Sequence, residues 1–115
     1  MLSEELPIFK AAYDTLEHLV DVSRQMPKGL RYTLGERLVN LCLDMLSQVY
    51  RANMDRSHRA QSLTELLMDQ RQVLLLLRVC YRQKALSTGR YAELVKLLDL
   101  VGRQATGWKN REERP

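Results

Sequence analysis

The chain is short of nearly everything that interrupts or cross-links helices. Only 5 glycines and 3 prolines occur in 115 residues. They sit mostly where the apolar periodicity lapses, so a few long helices joined by short turns are expected. The two cysteines, Cys42 and Cys80, lie on the apolar flanks of separate segments with no Cys-x-x-Cys spacing. Neither a disulfide framework nor a thiolate metal site has support, and no signal peptide opens the chain. A cytoplasmic protein with two buried reduced thiols is expected, holding neither metal nor cofactor. The leucine run Leu74 to Leu77 lies between Arg71 and Arg78. It falls far short of the roughly 20 apolar residues that a bilayer span needs.

Catalytic signatures are equally scarce. A di-iron bundle would need inward Glu-x-x-His pairs, and none is present. The glycines are isolated and form no phosphate loop, and no histidine is placed as a base for a cysteine. One spacing fits an enzyme: Arg51 and His58, six residues between them. It resembles the Arg-x(4–6)-His pattern of the helical ribonucleases called HEPN. That resemblance would make His58 a general base and Arg51 a phosphate binder.

What is present is amphipathic helix. Hydrophobic residues at 45% and charged residues at 28% are values of a folded globular chain rather than a disordered one. One domain is expected over residues 1–108, with 109–115 a charged, apolar-free, disordered tail. Helix 1 is expected over Leu6 to Gln25, with Ser3 as N-cap and Phe9, Ala12, Tyr13, Leu16, Leu19 and Val20 inward. The second helix starts between Leu30 and Thr33, where Thr33 and Glu36 have the form of a capping box, and runs past Ala52. Helix 3 spans His58 to Ala85, with Ser57 as its cap, and buries Leu63, Leu66, Leu67, Leu74, Leu77 and Tyr81. Helix 4 runs from Arg90 to about Trp108, with Gly107 as a helix-ending residue. Short connections make successive helices antiparallel neighbours, so the fold class is an all-α, up-down-up-down four-helix bundle.

The net charge of +4 is unevenly spread. Residues 1–25 hold five acids against Lys10 and Arg24, whereas residues 28–60 and 61–90 carry +3 each. Thirteen of the 18 cations are arginine, the residue suited to bidentate phosphate and carboxylate contacts. Arg71, Arg78 and Arg82 form one stripe on helix 3, while Lys84 and Arg90 cluster with others at helix ends. Arginines without interleaved exposed aromatics suit backbone contacts rather than base reading. The bland alternative is pairing between subunits, the acidic helix 1 of one copy meeting the basic helix 3 of the next.

A set of short motifs then gives a resemblance: Met26-Pro27 through Arg31, Thr33-Leu34-Gly35-Glu36-Arg37-Leu38, Ala52, Leu77-Arg78, Tyr91, Val101-Gly102-Arg103 and Gly107-Trp108. In this order and spacing they resemble the four-helix bundle proteins of the ribosomal-RNA intervening-sequence type. Within these the likeness is to the accessory variability determinants of diversity-generating retroelements, over about residues 6 to 109. The resemblance implies a non-enzymatic accessory protein that forms a ring-like pentamer. Such a protein binds the element's reverse transcriptase and nucleic acid through a basic surface during mutagenic copying of template RNA. The matching basic positions are Arg31, Arg37, Arg78 and Arg103. With the helix 3 stripe and the helix-end cations, the candidate binding residues are Arg31, Arg37, Arg71, Arg78, Arg82, Lys84, Arg90 and Arg103. The alternative is a free-standing oligomeric scaffold whose charges act only between subunits.

Overall fold

A computed structural model describes residues 1–113 of the chain. A 3-10 turn at Ser3–Glu5 leads into α1, Pro7–Gln25. Helix α2 is built of three successive segments, Lys28–Leu30, a π-helical stretch Arg31–Gly35, and Glu36–Met54. A 3-10 turn at Arg56–His58 precedes α3, Arg59–Arg82, and α4 is Thr88–Glu112. The architecture is a four-helix bundle with extents of 48 × 21 × 19 Å, and no strand occurs among the described residues. Each helix packs on two others: α1 on α2 and α4, and α3 on α2 and α4. Among the described residues no helix is long and apolar enough to cross a membrane.

The core is aliphatic. Leu19, Leu38, Met45, Leu63, Leu66, Leu77, Leu94 and Leu98 are fully enclosed. Cys42 and Cys80 are free and buried, and burial alone pushes the Cys42 thiol up to about 12, which makes it inert at neutral pH. Two buried amides tie helices together: Gln70 Nε2 donates to Leu98 O at 3.0 Å, and Gln48 Nε2 to Asp69 Oδ2 at 3.1 Å.

Several local expectations are corrected. Helix α1 faces inward through Ile8, Ala11, Ala12, Thr15, Leu19 and Val22, which leaves Tyr13 and Val20 exposed. The small residues decide this rotation, because they let α2 come close enough for Cys42 Sγ to donate to Ala12 O at 3.5 Å. Thr15 satisfies its buried hydroxyl by donating to Ala11 O. Ser3 caps no helix: it is buried, and its Oγ accepts from Asn53 Nδ2 at 2.9 Å. Thr33 lies inside α2, donating to Gly29 O, so its capping box with Glu36 does not form. Helix α3 stops at Arg82 rather than Ala85, and its leading turn is capped by Asp55 rather than Ser57. Asp55 Oδ1 accepts from both the amide and the hydroxyl of Ser57. Tyr81 stays at the edge of the core, its ring stacked on Tyr91 with centroids 4.6 Å apart.

The far end of α4 also departs from expectation. The helix passes through Gly107 and Trp108 to Glu112, so Gly107 is interior and residues 109–112 are helical rather than disordered. Lys109 pairs with Glu113 one turn on, and Glu112 is tied to Arg59, which together hold this extension. Residues 114 and 115 of the expected tail lie outside the described residues.

Candidate nucleic-acid and partner surface

At about 100° per residue, four consecutive leucines sweep most of the way round a helix, so Leu74 to Leu77 cannot all be covered. Leu77 is enclosed, while Leu75 points outward and is 59% exposed. Met68 and Val79 are exposed with it, spaced i, i+7 and i+11. Arg71, Arg78 and Arg82 repeat that spacing on the same helix, offset by about 60° of helix rotation, and all three are exposed. The outer face of α3 therefore carries an apolar stripe and a cationic stripe side by side. The apolar stripe is the part that sequence reasoning missed, because a buried run of leucines conceals its one outward member.

The eight candidate cations separate into two groups. Among the described residues Arg71, Arg78, Arg82 and Lys84 make no side-chain hydrogen bond or ion pair and are exposed, so no partner there offsets their charge. Arg71 comes together with Arg103 along a groove of about 480 Å³ between α3 and α4, walled by Gly102, Thr106 and Gly107. Arg103 also pairs with Asp99 at 2.9 Å, one turn earlier, in an exposed pair of little energetic weight. Arg37 Nη2 donates to Gln72 Oε1 at 3.2 Å, joining α2 to α3 at the surface.

The other two are occupied inside the protein. Arg31 Nη2 donates to Arg24 O at 2.9 Å and Met26 O at 3.2 Å, satisfying carbonyls that the end of α1 leaves free. Arg90 Nη2 lies 2.7 Å from Asp21 Oδ2, and its Nη1 donates to His18 Nδ1 at 3.1 Å. The Arg90 and Arg24 hydrogen bonds hold the Asp21 carboxyl below its usual range. Neither partner could be read locally, since Asp21 and Arg90 are 69 residues apart.

Around Arg90 the surface is acidic. A cleft of about 360 Å³ between α1 and α4 is lined by Asp14, Glu17, Asp21 and Glu93, with His18 Nε2 3.9 Å from Glu93 Oε1. The stripe on α3 and the cleft on α1 and α4 thus present opposite charge on different sides of one bundle.

Of the ribonuclease-like pair, Arg51 is exposed on the last turn of α2. His58 Nδ1 is held 2.8 Å from Asp55 Oδ2 and 3.1 Å from Ser57 Oγ. No hydrogen bond joins His58 to Arg51 among the described residues. The Ser57 and His58 hydrogen bonds hold the Asp55 carboxyl below its usual range. Among the described residues no group of three or more His, Cys, Asp or Glu side chains is placed to hold a metal ion.

A comparison with curated proteins gave no match. The family model described as bAvd-like matches residues 6–112, nearly the whole bundle. The likeness read from the motifs between Met26 and Trp108 is borne out by this match, and the chain belongs to the bAvd-like family.

Proposed function

We propose that this protein is the non-enzymatic accessory subunit of a diversity-generating retroelement. It binds the element's reverse transcriptase together with template RNA and its DNA copy. The observation that carries this reading is the arginine stripe of α3. Three exposed guanidinium groups without acidic partners among the described residues form a cationic edge on one helix. Phosphate neutralisation along such an edge gives affinity without sequence preference, which suits a factor that must accompany a copying enzyme along any template.

The apolar stripe at Met68, Leu75 and Val79 supports a homo-oligomer. In the proposed assembly each bundle has its helices antiparallel, up-down-up-down, and the copies pack head to tail as a pentameric ring in the cytoplasm. The apolar stripe of one copy sits against the α1 face of the next, and the arginines at its rim are left to the polymerase and nucleic acid. A second reading has support from the same apolar stripe: a scaffold in which Arg71, Arg78 and Arg82 meet the acidic cleft of the neighbouring copy and no nucleic acid is bound.

Salt dependence separates the two. Under the first reading, affinity for single-stranded or hybrid nucleic acid falls steeply between about 50 and 200 mM salt. Substituting Arg71, Arg78 and Arg82 by glutamate removes binding and leaves the assembly intact. Absence of binding at low salt, or a triple variant that falls apart into single bundles, establishes the scaffold instead.

A further inference from the structure

Beyond the stripe, the far end of the bundle holds a groove built around Trp108, the one tryptophan of the chain. Trp108 is half-buried, and the Arg59 guanidinium carbon lies 5.3 Å from its ring centroid. The groove, about 460 Å³, has an apolar side at Leu6 and Ile8 and a cationic side at Arg59, Arg103 and Arg111, with no carboxylate in its lining. Gln104 Oε1, in the same wall, is buried without a donor among the described residues. One acceptor of the groove wall is therefore left open, while Arg59 and Asn53 are already bonded within the chain.

Gly107 is the second observation. It lies in the interior of α4, where glycine weakens a helix relative to alanine. Packing within the chain does not require it. A Cβ built there meets nothing nearer than Arg111 Nη1 at 3.7 Å, an ordinary contact with a flexible side chain. A glycine here leaves the backbone open to close approach by another molecule. Gly107 also walls the α3–α4 groove that holds Arg71 and Arg103, so the cationic edge of α3 leads by way of Arg103 to Trp108.

We infer that this groove receives an unpaired base of a single-stranded nucleic acid, stacked against the part of Trp108 that Arg59 leaves uncovered, with the flanking phosphates on Arg103 and Arg111. The inference rests on nucleic acid being the partner, as proposed above. It adds a stacking site to a surface that otherwise offers only backbone contacts. A planar aromatic beside a guanidinium plane accepts any base through its π face, whereas phosphates answer Arg111 and Arg103, the latter held only by its exposed pair with Asp99. An acidic peptide would answer the charge but leave the stacking platform unused.

Because the chain has one tryptophan, its emission reports this groove alone. The full chain is titrated with a fluorescein-labelled oligouridine of about 12 nucleotides at about 50 mM salt, reading anisotropy and tryptophan emission together. Emission is expected to fall in step with the rise in anisotropy. Trp108→Ala is expected to weaken affinity roughly 5- to 150-fold, the range that loss of one stacked base produces. Since Trp108 also packs on the core, Gly107→Leu serves as the second variant. It fills the groove, favours helix, keeps the thermal midpoint at or above that of the wild type, and is expected to weaken binding comparably. Anisotropy that rises with unchanged emission and a wild-type-like Gly107→Leu overturns the stacking site while the nucleic-acid reading stands. No rise in anisotropy removes both. Quenching by a glutamate-rich peptide but not by the oligonucleotide replaces the base with an acidic protein segment.

Discussion

Arg59 Nη1 lies 2.8 Å from Glu112 Oε1, joining the first residue of α3 to the last residue of α4. The same guanidinium donates through Nε to Ala52 O at 2.6 Å, at the end of α2, and covers the Trp108 ring. One arginine thus binds three helix ends, and α4 continues past Trp108 because Glu112 has a fixed partner there.

This pair sets an acid dependence. The Arg59 hydrogen bond holds the Glu112 carboxyl below its usual 4.5. A carboxyl depressed in the folded state contributes stability that is present above the unfolded value and lost as pH falls through the folded one. Thermal midpoints measured from pH 6 down to pH 2 are expected to drop through the carboxylate range. Glu112→Gln is expected to show a shallower drop and a lower midpoint at pH 6. A variant with an unchanged profile would show that the pair is too solvated to matter.

Asp69 behaves in the opposite sense. Burial raises its carboxyl above 3.8, the hydrogen bond from Gln48 opposes that, and the nearby Asp44 and Glu65 charges add to the rise while Arg37 offsets it. Because the folded state favours the protonated form, this contribution is fully present below the unfolded value and is lost as pH rises through the folded one. Asp69→Asn removes the charge at neutral pH and is expected to raise the midpoint at pH 7 but not at pH 3. The two-pH comparison by calorimetry checks the sign.

Lys84 is the one non-glycine residue with positive φ among the described residues, at 61°. It sits just past α3, where Ala85 N donates to Cys80 O and Lys84 N to Tyr81 O, the bonding pattern that ends helices on a left-handed residue. Glycine is free of the Cβ crowding that costs about 1–2 kcal/mol there. Lys84→Gly is expected to stabilise the bundle by about 1 kcal/mol in urea unfolding. It also removes one exposed cation, so nucleic-acid affinity is expected to fall slightly while stability rises.

The exposed Leu75 tests the proposed assembly. Leu75→Glu places a charge on an outward position and is expected to leave helicity unchanged while shifting the sedimentation coefficient toward a single bundle. Sedimentation identical to the wild type would overturn the proposed contact through the α3 apolar stripe.

The number, order and approximate span of the helices were legible because the 3.6-residue period survives in every segment, and the α3 arginine stripe because all its members lie on one helix. The rotation of α1 was not fully legible: its apolar arc is wide, and Ala11 and Thr15, beside the expected Ala12, win over Tyr13 and Val20 through the approach of Cys42. Nor were the roles of Arg31 and Arg90. Arg31 spends its Nη2 on carbonyls at the end of α1, and the partners of Arg90 lie on α1 itself. Only tertiary contact tells a cation that closes the fold from one that faces outward.

Gly102 gives the sharpest test of packing between α3 and α4. A Cβ built there would lie 2.6 Å from Gln70 Nε2, the atom that donates to Leu98 O. Gly102→Ala must therefore displace a buried amide from its acceptor, and overpacking of this kind costs about 1–3 kcal/mol. In a Gln70→Ala background the obstructing amide is gone, and the helix preference of alanine over glycine remains. The same substitution is then expected to be neutral or stabilising by about 1 kcal/mol. The difference between the two backgrounds, measured as a double-mutant cycle in urea, isolates the Gly102–Gln70 contact. Equal effects in both would mean that α4 shifts to make room and that the close approach of these helices is not held by this pair.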